Sequence, residues 1–499
     1  MRTARGSDSR LNTSQRVAAL GPVLVITTFV TSIISSLGAP LIPTIAKNLH
    51  VSLSTAQWSL TATLLSGAVC APVMGRLGDG SRRKATMIGG LVVVTLGGVI
   101  AALASGIDAL IFGRALQGVG LGLVPLAMAT ARDQLPKHRV VPMIGLLSVS
   151  AAAGVGVGYP ISGLITDRLG LSGAYWFGAI VSVTALICVV VVIPSTSHGQ
   201  SARLDVVGTG LLAGALIAIL VAVAQGYLWG WGSSKVLGLL ATGVILLVIW
   251  TAHQLRAEAP LVNLRLLRQP AVFAADACAF VLGIAMYMTL SAATQFVQHP
   301  REEGFGFSSS VVVAGLILIP LSALMLLGSR LLPILDRRFG LRVPMTMGCM
   351  VVAFACSYFA LFHNSIWESI VAMGVLGIGL GSTFAAIPGL IVRSVPHGET
   401  GSALGFYQVV RFVGFSLGSA LCASIVESHA SPSTHQPSVG GYTTVFWVAG
   451  SICVVAALVT LTLPSRGAIV SDGKRAADQV VRLVELSDGE NLVFGEDPS

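Results

Sequence analysis

Apolar stretches of about twenty residues recur from Val17 to Leu463, each followed by a short polar or charged loop. Wound as a helix, such a stretch matches the ~30 Å hydrocarbon core of a bilayer. The pattern therefore predicts an all-α polytopic membrane protein. Fourteen spans are expected, over residues 17–41, 54–76, 85–104, 107–129, 141–165, 172–193, 205–225, 236–254, 271–293, 309–333, 343–362, 366–391, 402–426 and 442–463. No loop between them is long enough to hold a folded soluble domain. The first span is too long for a removable signal peptide and lacks its small-residue cleavage site, so it is expected to remain as a span. The segment KRAADQVVRLVELS in the tail is compatible with one amphipathic helix or with a loosely ordered acidic tail.

Composition fits helices that pack in lipid through small faces: 54% of residues are hydrophobic, 10% are charged and 57 are glycine. An even number of spans puts both termini on one side. Lys and Arg gather in the termini and the even-numbered loops, leaving Lys47, Arg168, Lys235 and Arg301 in the odd ones. By the positive-inside rule both termini are expected in the cytoplasm. That sorting accounts for the net charge of +9 without a nucleic-acid partner. All seven cysteines fall in apolar spans without metal-ligand spacing and read as packing residues. Abundant Ala, Gly and Val, with Arg in excess of Lys, is a bias that GC-rich bacterial genomes often show.

The chain also repeats itself. GRLGDGSRRK (Gly75 to Lys84) follows span two, and LPILDRRFGLR (Leu332 to Arg342) follows span ten; each is an apolar helix end, then Asp and a basic turn. Two such turns in matching places predict two related bundles with a cavity between them. The expected division is a tail at 1–16, a six-helix bundle at 17–194, an inserted pair of helices at 195–270, a second six-helix bundle at 271–464 and a tail at 465–499.

The first of these turns resembles the signature of the major facilitator superfamily through Gly75, Leu77, Asp79, Arg83 and Lys84, although Gly80 and Arg82 depart from it. FGRALQGVGLG in span four is similar to a second signature at Arg114, Gln117, Gly118 and Gly120. A guanidinium inside a span is costly unless it meets a wet cavity or a partner, so Arg114 is expected to face the central cavity or to snorkel to the outer interface. Span five resembles the antiporter signature of the same superfamily at Gly145, Gly154, Gly158, Pro160 and Gly163, with its Gly-Pro and Gly-Gly pairs altered to Tyr159-Pro160 and Gly163-Leu164. A tight packing seam explains those residues as well as a role in antiport does. The stretch from Gly377 to Ala420 and EAPLVNLRLLRQP (Glu258 to Pro270) extend the likeness to the fourteen-span drug:proton antiporter family over everything between the tails.

The resemblance implies a rocker-switch carrier driven by the proton gradient, with no other cofactor. In that family the motif Asp, here Asp79, sits against the helix N-terminus near Gly401 and Ser402, where a carboxylate is favoured. With Arg83, and with Asp336 in the second turn, it would hold an inner gate shut. Many relatives carry Asp in span one, yet this span reads TTFVTSIISSLGAPLIPTIA, with Ile34 near that position. Asp276 is the one carboxylate clearly within a span. It is expected either to pair with Arg411 of span thirteen in gating or proton coupling, or to lie shallow, wet and ionised. Thr31, Ser35, Gln117, Tyr287, Thr294, Gln295, Tyr407 and Gln408, with Met286 and Met288, are candidates to line a cavity poor in charge. Such a site suits amphipathic or hydrophobic organic molecules.

The leading expectation is a monomeric exporter of small organic compounds in the plasma membrane of a bacterium, exchanging them for protons. The missing acid in span one motivates a second reading, a facilitator or dedicated metabolite exporter without proton antiport. A receptor or scaffold that lost transport would have degraded gate motifs, whereas Asp79, Arg83 and Arg114 are in place. No phosphate-cradling loop or metal constellation points to an enzyme; His299, His363, His429 and His435 fall in outer loops.

Overall fold

The computed structural model describes residues 13–37, 41–78, 82–194, 204–301, 304–430 and 437–461. Asp79, Gly80, His435 and the amphipathic segment of the tail lie outside the described residues. Among the described residues, thirteen helical segments are long and apolar enough to cross a membrane, counting α5 with α6 and α11 with α12 as one segment each. One of them, α7, joins two predicted spans, so the fourteen expected crossings are accounted for.

In chain order the helices are α1 (Thr13–Ser36), α2 (Ile42–Asn48), α3 (Leu53–Gly78), α4 (Arg83–Ala102), α5 (Ile107–Gly118), α6 (Leu123–Gln134), α7 (Lys137–Val192), α8 (Val206–Trp229), α9 (Ser234–Arg256), α10 (Pro270–Gln298), α11 (Val311–Leu316), α12 (Leu318–Phe339), α13 (Arg342–Leu361), α14 (Ile366–Ser394), α15 (Thr400–Ser428) and α16 (Val439–Leu461). Three differ from the simple rhythm for local reasons. α7 turns at Gly170, whose φ of 71° is open to glycine and strained for other residues. Span four is α5 and α6 joined by a 3₁₀ turn over Val119–Gly122. There backbones approach closely: a Cβ on Gly122 would stand 2.9 Å from the Cys70 carbonyl oxygen of α3. The short α2 was not legible as a span because seven residues cover only about 10 Å of rise.

Side chains begin and orient several helices. Asp205 and Ser233 cap α8 and α9 by accepting from the Gly208 and Val236 N–H groups. Ser365 and Glu368 form a capping box at the start of α14. Along α9 the buried residues Val236, Gly243 and Trp250 recur every seven positions, with Gln254 one turn on, and this stripe packs on α8. The other side of α9 exposes Leu237, Val244, Ile245, Val248 and Ile249, as a helix facing acyl chains requires.

α1 and α3–α7 pack mainly on one another, and so do α10–α16. The two groups meet where α3 and α6 contact α15, and where α7 contacts α11, α12 and α14. The α8–α9 pair stands beside this junction, with α8 touching α3 and α15. The side of the molecule at which α1 begins, and at which α3, α6, α12 and α14 end, is called the N-terminal face below.

Candidate functional site

Among the contacts that join the two groups at the N-terminal face are a close backbone approach and the side chain of an arginine. Gly75 of α3 lies directly against the Gly401 carbonyl at the start of α15. One turn deeper, a Cβ on Gly405 would stand 2.7 Å from the Ala71 carbonyl oxygen. Both glycines are required by this close approach. Arg132, at the end of α6, donates to the carbonyls of Val395 (2.8 Å) and Pro396 (3.3 Å) and to the Thr400 hydroxyl. It thereby binds acceptors between the end of α14 and the start of α15. No sequence motif marked this residue.

The basic turn after α3 is held within its own group. Arg83 donates to the Gly78 carbonyl and to Asp133, both at 2.6 Å, and Lys84 donates to the Val190 carbonyl near the end of α7. The second turn shows the same device with the charges exchanged: Asp336 at the end of α12 accepts from Arg393 at the end of α14, at 3.2 and 2.5 Å. Asp133 and Arg393 are the halves of these pairs that the motif did not announce.

Arg114 takes neither of its expected positions. It exposes none of its surface, and its guanidinium donates to the carbonyls of Ile34 and Ser35, both at 2.9 Å, and to Gln117 Oε1 at 2.7 Å. The Tyr175 ring lies 5.9 Å away. The reason is local: the last carbonyls of α1 have no partner within their own helix. A cation at that end satisfies both them and the helix dipole. At Ile34, which the resemblance sets near an expected acid, the arginine meets a backbone carbonyl. Thr31 and Ser35 donate to carbonyls one turn back in α1, at 3.0 and 2.8 Å.

Asp276 and Arg411 are both buried, and they do not pair. α10 and α15 run alongside each other with Gly283 against the Arg411 carbonyl and Gly414 against the Phe280 carbonyl. In that register Arg411 stands level with Gly283, about 10 Å along α10 from Asp276. Its guanidinium lies 5.4 to 5.9 Å from the rings of Phe384, Tyr407, Phe412 and Phe415, and donates to the Tyr407 hydroxyl at 3.2 Å. That hydroxyl lies 3.4 Å from Ser148 Oγ of α7, a polar link between the two groups of helices. Asp276 Oδ1 and both amide atoms of Gln408 are buried without a hydrogen-bond partner among the described residues.

Of the signature residues of α7, Gly145 faces Ala385 of α14 and the other four divide between α1 and α11. Gly154 and Gly158 face Ile33, Ser32 and Ser36 of α1. Pro160 packs on Gly315 of α11, and Gly163 faces Val312. All four are packing residues by geometry.

Two of the cavities between the described helices bear on function. One, of about 320 Å³, is lined by Gln57, Leu60, Thr61, Leu64 and Leu65 of α3, by Leu220, Val223 and Ala224 of α8, by Tyr287, and by Phe415, Ser416, Ser419, Ala420 and Ala423 of α15. Tyr287 stacks on Phe415 with ring centroids 4.6 Å apart. Of the residues proposed from sequence as cavity lining, Tyr287 is the one found here; Met286 and Met288 are buried in helix packing and Gln295 is exposed. Gln57 and Thr61, spaced by four, and Ser416, Ser419 and Ala423 mark single helix faces that the sequence did offer. The second cavity, of about 540 Å³, opens at the N-terminal face among α7, α10, α12, α13 and α14.

Known proteins place this arrangement. Residues 24–419 match the Major Facilitator Superfamily. The chain is 28% identical over 395 residues to the tetracenomycin C resistance and export protein of Streptomyces glaucescens, covering 77% of this chain and 71% of that one. It is 26% identical over 400 residues to the multidrug resistance protein Stp of Mycobacterium tuberculosis, covering 79% and 73%. It is 27% identical over 401 residues to the probable actinorhodin transporter of Streptomyces coelicolor, covering 77% and 68%. The crystal structure of the human organic anion transporter MFSD10 superposes with a TM-score of 0.61 at 14% identity, covering 90% of this chain and all of that one, a likeness of fold. The helical architecture, the signature turns and the match across most of its length make this chain a member of the major facilitator superfamily, a multi-pass membrane transporter.

Proposed function

We propose that the protein exports small amphipathic organic compounds across the bacterial cytoplasmic membrane by alternating access, in exchange for protons. The N-terminal face is cytoplasmic in this reading, since the basic residues gather there. The two groups of helices act as rocking bundles at 17–194 and 271–464, with 195–270 as the inserted pair, in a monomer. The observation that carries the proposal is the 320 Å³ cavity between α3, α8, α10 and α15. Its lining mixes aliphatic and aromatic walls with a few hydroxyls and one amide and holds no charge, the recognition chemistry of an amphipathic organic molecule. It is separated from the N-terminal face by the Gly75–Gly401 and Ala71–Gly405 approaches. The likeness to a tetracenomycin C resistance and export protein and to a multidrug resistance protein supports the same class of cargo.

Asp276 is the proposed proton carrier, because its buried Oδ1 has no partner and protonation there breaks no existing bond. The test is proton release on adding tetraphenylphosphonium to the protein in liposomes, wild type against Asp276→Asn. Release by the wild type, absent in the variant, is the expected result. Binding of tetraphenylphosphonium without release by either protein overturns proton coupling. That result favours the facilitator or dedicated metabolite exporter, a reading that the acid-free, internally bonded hydroxyls of α1 support.

A further inference from the structure

The 540 Å³ cavity at the N-terminal face has a different chemistry from the chamber proposed for cargo. Four full cations line it, Lys137, Arg337, Arg342 and Arg393, with His138 beside them and Asp336 as the single carboxylate. Asp336 is already engaged through both oxygens by Arg393. The side chains of Lys137, His138 and Arg342 make no hydrogen bond or ion pair among the described residues. Lys137 is contributed by α7 and Arg342 by α13, so uncompensated positive charge from the two groups of helices converges on one space.

The rest of the wall is apolar, chiefly Val141, Pro142, Leu332, Leu341 and Leu390. Every lining residue lies within about two turns of a helix end: the start of α7, α10 and α13, and the end of α12 and α14. In a bilayer, the ends of membrane-spanning helices of this length reach the lipid headgroups. A basic pocket between helices at headgroup depth, backed by an aliphatic wall, complements a phosphate joined to an acyl chain. A soluble anion would leave that wall unused.

We propose that this cavity binds an anionic phospholipid, with its phosphate among Lys137, Arg342 and Arg393 and its acyl chain against Leu332 and Leu390. The site is separate from the cargo chamber, and its occupancy does not depend on proton coupling. Because the lipid phosphate neutralises cations from both groups of helices, it favours the arrangement in which α7 lies close to α12–α14. Neutral phospholipid, which brings no net charge, does not.

Native mass spectrometry of the full-length protein released from phosphatidylcholine nanodiscs doped with phosphatidylglycerol tests this. The wild type is expected to retain phosphatidylglycerol in preference to phosphatidylcholine. K137Q/R342Q is expected to weaken that retention by about tenfold or more, since each basic residue near a membrane surface adds roughly a factor of five. The charge-preserving K137R/R342K and the neighbouring R139Q, outside the cavity, are expected to keep it. K137Q and R342Q are measured singly as well, each with a smaller loss, and melting in pure phosphatidylcholine confirms that each variant is folded. Equal retention of phosphatidylglycerol by the wild type and the folded glutamine variants overturns the site. Displacement of the lipid by millimolar inorganic phosphate at constant ionic strength makes it a free-anion site and overturns the lipid assignment.

Discussion

Arg114 and Arg411 show two ways of keeping a guanidinium inside a membrane protein. Arg114 is neutralised by acceptors, the carbonyls at the end of α1 and the Gln117 amide. Arg411 is surrounded by four aromatic faces, each of which is worth on the order of 2 kcal/mol to a desolvated cation. The two respond differently to substitution. Arg114→Met keeps most of the volume and takes the guanidinium donor from the Ser35 carbonyl and Gln117 Oε1, leaving the Ile34 carbonyl the 3.4 Å bond from the Leu37 N–H, a loss on the order of 3 kcal/mol. Its melting temperature in nanodiscs is expected to fall by several degrees, and an unchanged value refutes the assigned bonds. Both side chains were visible in the sequence as intramembrane cations. Gln117 and the rings of Tyr407, Phe412 and Phe415 are neighbours of these cations on the same helix, whereas the carbonyls of Ile34 and Ser35 and the ring of Phe384 come from other helices and were not visible as partners.

The α8–α9 pair is tied to α15 at both ends. Asn263, just after α9, donates to both oxygens of Glu399 at 3.0 Å, and Trp250 stacks on Phe406. At the opposite face Trp231 Nε1 donates to Ser424 Oγ at 3.1 Å. The pair is itself clasped by Asp205, which stands one residue before α8. Asp205 accepts from the Gly208 N–H and Gln254 and lies 3.0 Å from His253 Nε2. Burial alone would raise its pKa, but the hydrogen bonds from Gly208, His253 and Gln254 and the charge of His253 hold the carboxyl below the usual carboxylate range. A depressed acid stabilises the fold above its ordinary pKa of about 3.9, and loses that contribution as pH falls through the lower folded value. Asp205→Asn is therefore expected to melt below the wild type at pH 7, and the gap is expected to close in acid. A gap that widens in acid contradicts the clasp. The spans of α8 and α9 were legible from hydropathy alone, whereas their attachment to α15 depends on residues about 140 to 190 positions away.

Across the whole molecule, the contacts at the N-terminal face include close backbone approaches and the side chain of Arg132. The Gly75–Gly401 approach leaves no room for a side chain, and Arg132 holds the loop between α14 and α15 by its carbonyls and Thr400. Removing either is expected to shift the population toward the state open at that face. A Ser402→Cys reporter, 2% exposed in this arrangement, is expected to be labelled by a membrane-impermeant maleimide several-fold faster in Arg132→Ala and in Gly75→Val than in the parent. Labelling at the parental rate in both sinks the latch. Asp79, the residue that the signature named for this role, lies outside the described residues, and Arg132 was found only because the fold brings α6 to the start of α15.

The number of crossings, their length and the sorting of basic residues were decided by the sequence alone. A bilayer imposes a fixed thickness and a cost for buried charge on every segment separately, so a one-dimensional pattern carries that information. The signature turns were readable for the same local reason, and they carried the family. Which polar group meets which was decided only by tertiary structure. Asp276 and Arg411 have the right charges to pair, yet the register set by Gly283 and Gly414 holds them at different levels. Arg132 has no motif, yet it joins the two groups of helices. A hydrogen bond forms over about 3 Å, and positions of that accuracy between helices far apart in the chain follow from packing rather than periodicity.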